Sequence, residues 1–269
     1  MNIKIPRGII TNKFLDEMKM LSKSFYANLG NKKVIEKFEK KFSNYNNSKY
    51  CVAFPFARTA IYYSIKSLKI PEYSEIIMSP ITIKPILDVI LDLKLKPIFS
   101  DLDPSSLNYN PEDLKKKINS KTKLIIVTYL FGIVPSMTMF EKYIKNKNIY
   151  LIEDFSQCLN GEFMSKKTGN FSNIAVYSAS STKTLDTFGG GLAVTNNKRF
   201  FFDLKNFQEK LSKPKRFFLV KKILINLLRN ILTKKLVFSF FTYYLLLSIG
   251  FFLQKNNKML GNRSKLRIK

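Results

Sequence analysis

The stretch "KLIIVTYLFGIVPSMTMFEKYIKNKNIYLIEDFS", residues 123–156, decides the fold class. Its two apolar runs, 123–132 and 149–156, stop at polar or glycine residues, and "MTMFEKYIKNKN" between them carries apolar groups at helical spacing. Runs of Ile, Leu and Val without alternation read as strands buried on both faces, as in parallel sheets. The same pattern recurs outward. "YCVAF" (50–54), "EIIMSP" (75–80) and "KPIFSDLD" (96–103) are strand candidates upstream, and "IAVYSAS" (174–180) and "GLAVTNN" (191–197) follow downstream. Helical patterns lie between them at 33–44, in "PFARTAIYYSIKSL" (55–68) and in "TIKPILDVILDLKL" (82–95). Alternating strands and helices predict an α/β fold, three-layer α/β/α with a mostly parallel central sheet, over residues 1–205.

Totals bound the rest. With 269 residues and 45% hydrophobic content the chain buries a real core. It carries 46 Lys+Arg against 19 Asp+Glu, a formal charge of +27. From Phe201 onward sixteen Lys/Arg face only Asp203 and Glu209, so about half of the excess belongs to the last quarter. No arginine-rich or aromatic stacking motif accompanies the lysines, so nucleic acid is not the expected partner. Cys51 and Cys158 lie far apart in no C-x-x-C arrangement and support neither a disulfide framework nor a zinc site. The chain has no histidine, which removes Ser-His-Asp and Cys-His chemistry and most metal constellations. The start, "MNIKIPRGII", lacks the apolar stretch of a signal peptide, so the body is expected in the cytoplasm.

Polar residues collect where the strands end, and in such sheets a ligand sits outside those carboxyl ends. Asp154 closes one run and Gln157 follows it; further on come Ser178, Lys183, and the triplet Gly189, Gly190 and Gly191. Singly each is ordinary, and Asp154 alone reads as a strand-end aspartate. The joint spacing carries the signal.

The segment "YLIEDFSQCLNGEFMSKKTGNFSNIAVYSASSTKTLDTFGGGLAVTNN" (150–197) resembles the DegT/StrS family of pyridoxal-phosphate-dependent aminotransferases. Most of that family acts on nucleotide-linked keto sugars. The likeness extends upstream through "FARTAIYYSIKSLKI", "LKPIFSDLDP" and "KTKLIIVTYLFG", and so covers roughly residues 30–200. It implies the large domain of aminotransferase fold type I, with pyridoxal 5'-phosphate as cofactor. Carried over by position, Lys183 is the catalytic lysine that holds the cofactor as a Schiff base, and Asp154 faces the pyridine nitrogen. Gln157 lies near the ring, Ser178 with Ala57, Arg58 and Thr59 holds the phosphate, and Ile83 stands where the family usually has an aromatic ring over the cofactor.

The residue types suit that chemistry. An amine attacks a carbonyl only when unprotonated, a carboxylate keeps a ring nitrogen protonated, and a helix N-terminus with a hydroxyl binds phosphate. The resemblance implies amino transfer, with glutamate the usual donor, to a nucleotide-linked keto sugar for surface polysaccharide or glycolipid synthesis. A lysine at 183 differs from the histidine of the family's dehydratase offshoot. A homodimer is the expected assembly. The family's small C-terminal domain and its G-x-N-x-R segment have no counterpart in the sequence. The alternative is therefore a truncated, catalytically impaired member that binds cofactor or anchors to a membrane or a partner.

Residues 206–269 read as a basic, hydrophobic helical tail. In "FFLVKKILINLLRNILTKK" (217–235), Lys222, Asn226, Arg229 and Thr233 form a narrow polar stripe on an apolar helix, the pattern of a helix on an anionic membrane surface. "LVFSFFTYYLLLSIGFFL" (236–253) then runs without a charge and just reaches spanning length. Three readings of 217–253 stay open: peripheral or re-entrant membrane association at the inner face, buried core helices, or an integral span.

Overall fold

The computed structural model describes residues 3–6, 12–145, 147–181, 183–212 and 214–255, with side chains as far as Ile249. Helices α1 (Phe14–Ser24) and α2 (Lys32–Asn46) lead into strand β1 (Tyr50–Phe54) and helix α3 (Ala57–Ser67). Then come β2 (Glu75–Met78), α4 (Lys84–Asp92), β3 (Lys96–Phe99), α5 (Pro111–Lys117), β4 (Thr122–Thr128), α6 (Met137–Ile144) and β5 (Tyr150–Asp154). A two-residue-per-arm hairpin, β6 (Glu162–Phe163) and β7 (Lys166–Lys167), precedes β8 (Ile174–Ser178), β9 (Gly191–Thr195) and α7 (Lys198–Glu209). The tail holds α8 (Arg216–Leu232), a single turn α9 (Lys235–Val237), a π-helical segment Phe238–Thr242, and α10 (Tyr243–Lys255).

Seven strands form one sheet in the order β1-β9-β8-β5-β4-β2-β3. β9 pairs antiparallel with both β1 and β8, and the pairs β8–β5, β5–β4, β4–β2 and β2–β3 are parallel. One reversed strand thus sits inside an otherwise parallel sheet. The expected three layers are present. Ala60, Ile61 and Ile65 of α3, Ile86, Val89 and Ile90 of α4, and Phe200 and Leu204 of α7 pack on one face with Val52, Ile76, Ile126 and Val176. Phe42 of α2, Leu114 of α5 and Phe140 of α6 cover the other with Ile77, Ile125, Leu151 and Val194. Strand residues alternate between these two groups, as the pleat requires.

The helix ends follow local chemistry. Asn31, Asn110 and Asn197 each accept N–H bonds from the first turn of α2, α5 and α7, the side-chain capping that orphan helix donors need. Helix α3 has no such cap: Phe56 precedes it, and the first bond inside runs from Ala60 N–H to Phe56 O. The N–H groups of Ala57, Arg58 and Thr59 are left facing outward from the helix end.

Both cysteines are free and buried, and no cluster able to hold a metal occurs among the described residues. In the tail, Lys222 and Asn226 of the polar stripe turn toward the body, while Arg229 is exposed. Asn226 is buried and donates to Glu17 Oε1 of α1 at 2.6 Å, and Asn230 donates to Glu17 Oε2 at 3.0 Å. No single described helix is long and apolar enough to cross a membrane; Arg216–Leu232 and Lys235–Ile249 pass only as a pair bent by 75°. The side chains of 236–253 past Ile249, and the part of the tail beyond Lys255, lie outside the described residues.

Candidate active site at the carboxyl edge of the sheet

Asp154 ends β5, and Ser178 ends β8, its parallel neighbour. Ser156 ties them together: its N–H donates to Asp154 Oδ1 at 3.1 Å, and its hydroxyl accepts the Ser178 N–H at 2.9 Å. The Asp154 side chain is only 7% exposed. Burial pushes its carboxyl above the usual carboxylate range, while the Ser156 hydrogen bonds and the Lys183 ammonium pull the other way. Lys183 itself stands in the loop that leaves β8 after Ser178, its N–H bonded to Ser180 O at 2.9 Å. The next residue inward, Glu153, is fully buried on the opposite face and accepts from Tyr129 hydroxyl, Gly169, Phe171 and Ser172 N–H groups at 2.6–2.9 Å. Those bonds lock the strand end whose last residue is Asp154.

The loop carrying Lys183 is fastened along its length. Lys183 N–H bonds Ser180 O, Leu185 N–H bonds the Tyr177 hydroxyl, and Thr187 N–H bonds Ala179 O, at 2.9–3.0 Å. Phe188 then packs with Ile223 and Leu227 of α8, and Asn226 reaches Asp186 Oδ2 at 3.3 Å. Sequence reading found the lysine but not this support, because the partners come from a helix some forty residues on.

Gly191 brings the phosphate-type elements to the same corner. In register it lies between Ser178 of β8 and Phe54 of β1. A Cβ on Gly191 would stand 2.5 Å from Ala57 N and closer still to Phe56 O, so only glycine lets β9 pass under the N-terminus of α3. Ala57, Arg58, Thr59 and Ser178 thereby share one rim, with Asp154 and Lys183 beside it. Arg58 Nε is buried and has no hydrogen-bond partner, an orphan donor in this rim.

The remaining two expected residues follow β5 and β2. Gln157 uses its side-chain oxygen to accept the Phe131 N–H at 3.2 Å, holding the turn after β4. Ile83, the N-cap of α4, lies past the carboxyl end of β2, which β4 separates from β5, and is 63% exposed. A cleft of about 360 Å³ lined by Asn119, Thr122, Lys147 and Ile149 opens at the amino ends of β4 and β5 and brings no such groups together.

The family model of the DegT/DnrJ/EryC1/StrS aminotransferases matches residues 9–219. The chain belongs to that family. It is 30% identical over 190 residues to GDP-perosamine synthase of Escherichia coli O157:H7, covering 71% of this chain and 50% of the relative. An uncharacterised protein of Methanocaldococcus jannaschii is 29% identical over 199 residues, covering 74% and 51%. The chain thus spans about half the length of the curated relatives it matches. Among solved structures, an aminotransferase from Psychrobacter cryohalolentis superposes with a TM-score of 0.70 at 21% identity, over 84% of this chain and 64% of that one. Helicobacter pylori PseC, an aminotransferase of pseudoaminic acid biosynthesis, gives 0.68 at 20%, over 87% and 66%. At those identities the likeness is one of fold.

Proposed function

We propose that this DegT-family chain is a pyridoxal 5'-phosphate-dependent aminotransferase, moving an amino group, with glutamate as donor, to a nucleotide-linked keto sugar for surface polysaccharide or glycolipid synthesis. The single observation that carries the reading is the convergence of Asp154, Ser178, Lys183 and the uncapped N-terminus of α3 on one rim. The donor set fits the cofactor: a buried acid for a ring nitrogen, orphan N–H groups and a hydroxyl for a phosphate, and an amine between them. Bound there, the cofactor would supply an electron sink that makes a substrate α-proton removable.

The chain's own residues would do the rest. Lys183 would hold the cofactor and, once released, carry the proton between donor carbon and cofactor. Asp154 would hold the ring nitrogen's proton in place, its burial making a charged partner there favourable. Ser178 and the Ala57–Thr59 amides would fix the phosphate and so the distance to Lys183. Ile83 would offer packing without π-stacking. The name GDP-perosamine synthase, carried by a relative 30% identical, favours a nucleotide-linked sugar as acceptor. The assembly expected is a homodimer.

The test is reduction with borohydride after incubation with the cofactor, followed by peptide mass spectrometry. The expected result is a pyridoxyl-phosphate mass on the peptide bearing Lys183, absent in Lys183→Ala. A wild-type protein that takes no label, or takes it elsewhere, overturns the reading.

A second observation bears on location. The tail exposes Phe217, Phe218, Leu224, Leu228 and Ile231 of α8, Leu236 of α9, and Phe240 and Phe241 of the π-helical segment, with Lys221, Arg229, Lys234 and Lys235 also exposed. We infer that this exposed surface rests on an anionic membrane.

A further inference from the structure

Lys222 projects from α8 into the corner just described. Its Nζ lies 4.6 Å from the centroid of the Phe56 ring, and the Arg58 guanidinium carbon lies 4.8 Å from the same centroid. The aromatic ring that precedes the orphan amides of α3 therefore holds two cations. Gly189, at φ +96, opens the way for one of them: a Cβ there would stand 3.0 Å from Lys222 Nζ. Two of the three glycines thus divide the work, Gly189 admitting Lys222 and Gly191 admitting the Phe56–Ala57 peptide.

Neither cation has a carboxylate at ion-pair distance among the described residues, and Arg58 Nε has no hydrogen-bond partner at all. Burial and then the Arg58 charge push the Lys222 ammonium below its ordinary value. Two like charges drawn onto one ring with no acid between them are costly without an anion. The helix that presents Lys222 is held in register by Asn226 on Glu17 and by Ile223 and Leu227 on Phe188.

We propose that Lys222 and Arg58 seat the cofactor's phosphate monoester, the tail helix supplying in the same chain a cation that closes the cradle formed by α3 and Ser178. The proposal rests on the functional reading above and deepens it: the helix 216–232 is part of the cofactor site. It also accounts for the inward turn of Lys222 and Asn226, four residues apart on the side of α8 that meets the site.

Pyridoxine 5'-phosphate separates this proposal from the parent reading, because it carries the phosphate but no aldehyde and cannot react with Lys183. Calorimetric titration of the full chain with it is expected to show binding in wild type and in Lys183→Ala. In Lys222→Met the affinity is expected to fall by about tenfold or more, the scale of one charge-assisted contact, while unphosphorylated pyridoxine binds both proteins alike. Lys222→Arg keeps the cation and is expected to stay within about threefold of wild type. Equal affinity in wild type and Lys222→Met overturns the proposal. So does a folded Lys222→Arg, judged by its thermal melt, that loses as much as Lys222→Met. A parallel titration with GDP tests the other source of phosphate: if Lys222→Met weakens GDP and leaves pyridoxine 5'-phosphate unchanged, the seat belongs to the substrate and the assignment to the cofactor is wrong. If Lys222→Met weakens pyridoxine 5'-phosphate binding as expected but Lys183 never takes the covalent label, the parent reading fails and the phosphate seat stands.

Discussion

Asp154 is kept at a strand end where water is scarce, and the fold without cofactor bears the cost of that charge. Its carboxyl sits above the usual carboxylate range because of burial, with Ser156 and Lys183 only partly offsetting. A raised folded-state value means that the penalty is absent below the unfolded value and full once pH has risen through the folded one. Asp154→Asn keeps the oxygen that accepts the Ser156 N–H and removes the charge. At neutral and alkaline pH the cofactor-free variant is therefore expected to be more stable by about 1 kcal/mol, a rise of about 2–4 °C in Tm, the exchange of stability for function common at such sites. The gain shrinks as pH falls into the carboxylate range, where wild type also loses its charge. Melts of both proteins from acid to alkaline pH check this; a gain that grows toward acid pH contradicts it. Asp154, Ser178 and Lys183 were legible in the sequence because apolar runs mark where strands stop and spacing does the rest. Ser156, Tyr177 and Lys222 were not, since each reaches the site through register or packing that local pattern does not encode.

The tail helix shows the same limit at the level of elements. The stripe of Lys222, Asn226 and Arg229 was visible as spacing, but which side it faced depends on α1, a helix that the sequence reading did not pick out. α1 places Glu17, itself buried, where Asn226 and Asn230 can donate to it. A buried carboxylate that loses one of its two donors has less to offset its desolvation, so Asn226→Ala is expected to cost about 1–3 kcal/mol in urea denaturation. Because Asn226 also reaches Asp186, amide exchange of the Phe188–Gly190 segment should quicken more than that of β4. Uniform quickening would mean that α8 does not support the loop specifically. The strands read well because their continuous Ile, Leu and Val runs have no other use in an α/β protein. Their direction did not read: an apolar run looks the same either way, and β9 is reversed because the connection from β8 is the Lys183 loop rather than a crossover helix. α5 and α7 escaped notice for a different reason, being short or rich in charge with only Leu114, or Phe200 and Leu204, fully buried.

At the scale of the whole molecule, the tail carries both charge and apolar surface. Along α8, α9 and the π-helical segment, Phe217, Leu228, Leu236, Phe240 and Phe241 are exposed, as are Lys221, Arg229, Lys234 and Lys235. An exposed apolar surface of this kind calls for a cover. Two copies meeting face to face through it would oppose like charges, whereas an anionic bilayer accepts the rings and neutralises the lysines. Each Lys or Arg near such a surface adds about 1 kcal/mol, so with four of them vesicles rich in phosphatidylserine should bind on the order of a thousandfold more tightly than zwitterionic ones, and the advantage should fade as salt shortens the screening length. Phe240→Glu with Phe241→Glu, far from the Lys183 loop in sequence and both exposed, should abolish flotation with vesicles while leaving the melt unchanged. Flotation that ignores both lipid charge and these substitutions would locate the contact elsewhere. A salt-stable dimer that the double substitution splits, with no vesicle binding in wild type, would give the face to a second copy instead.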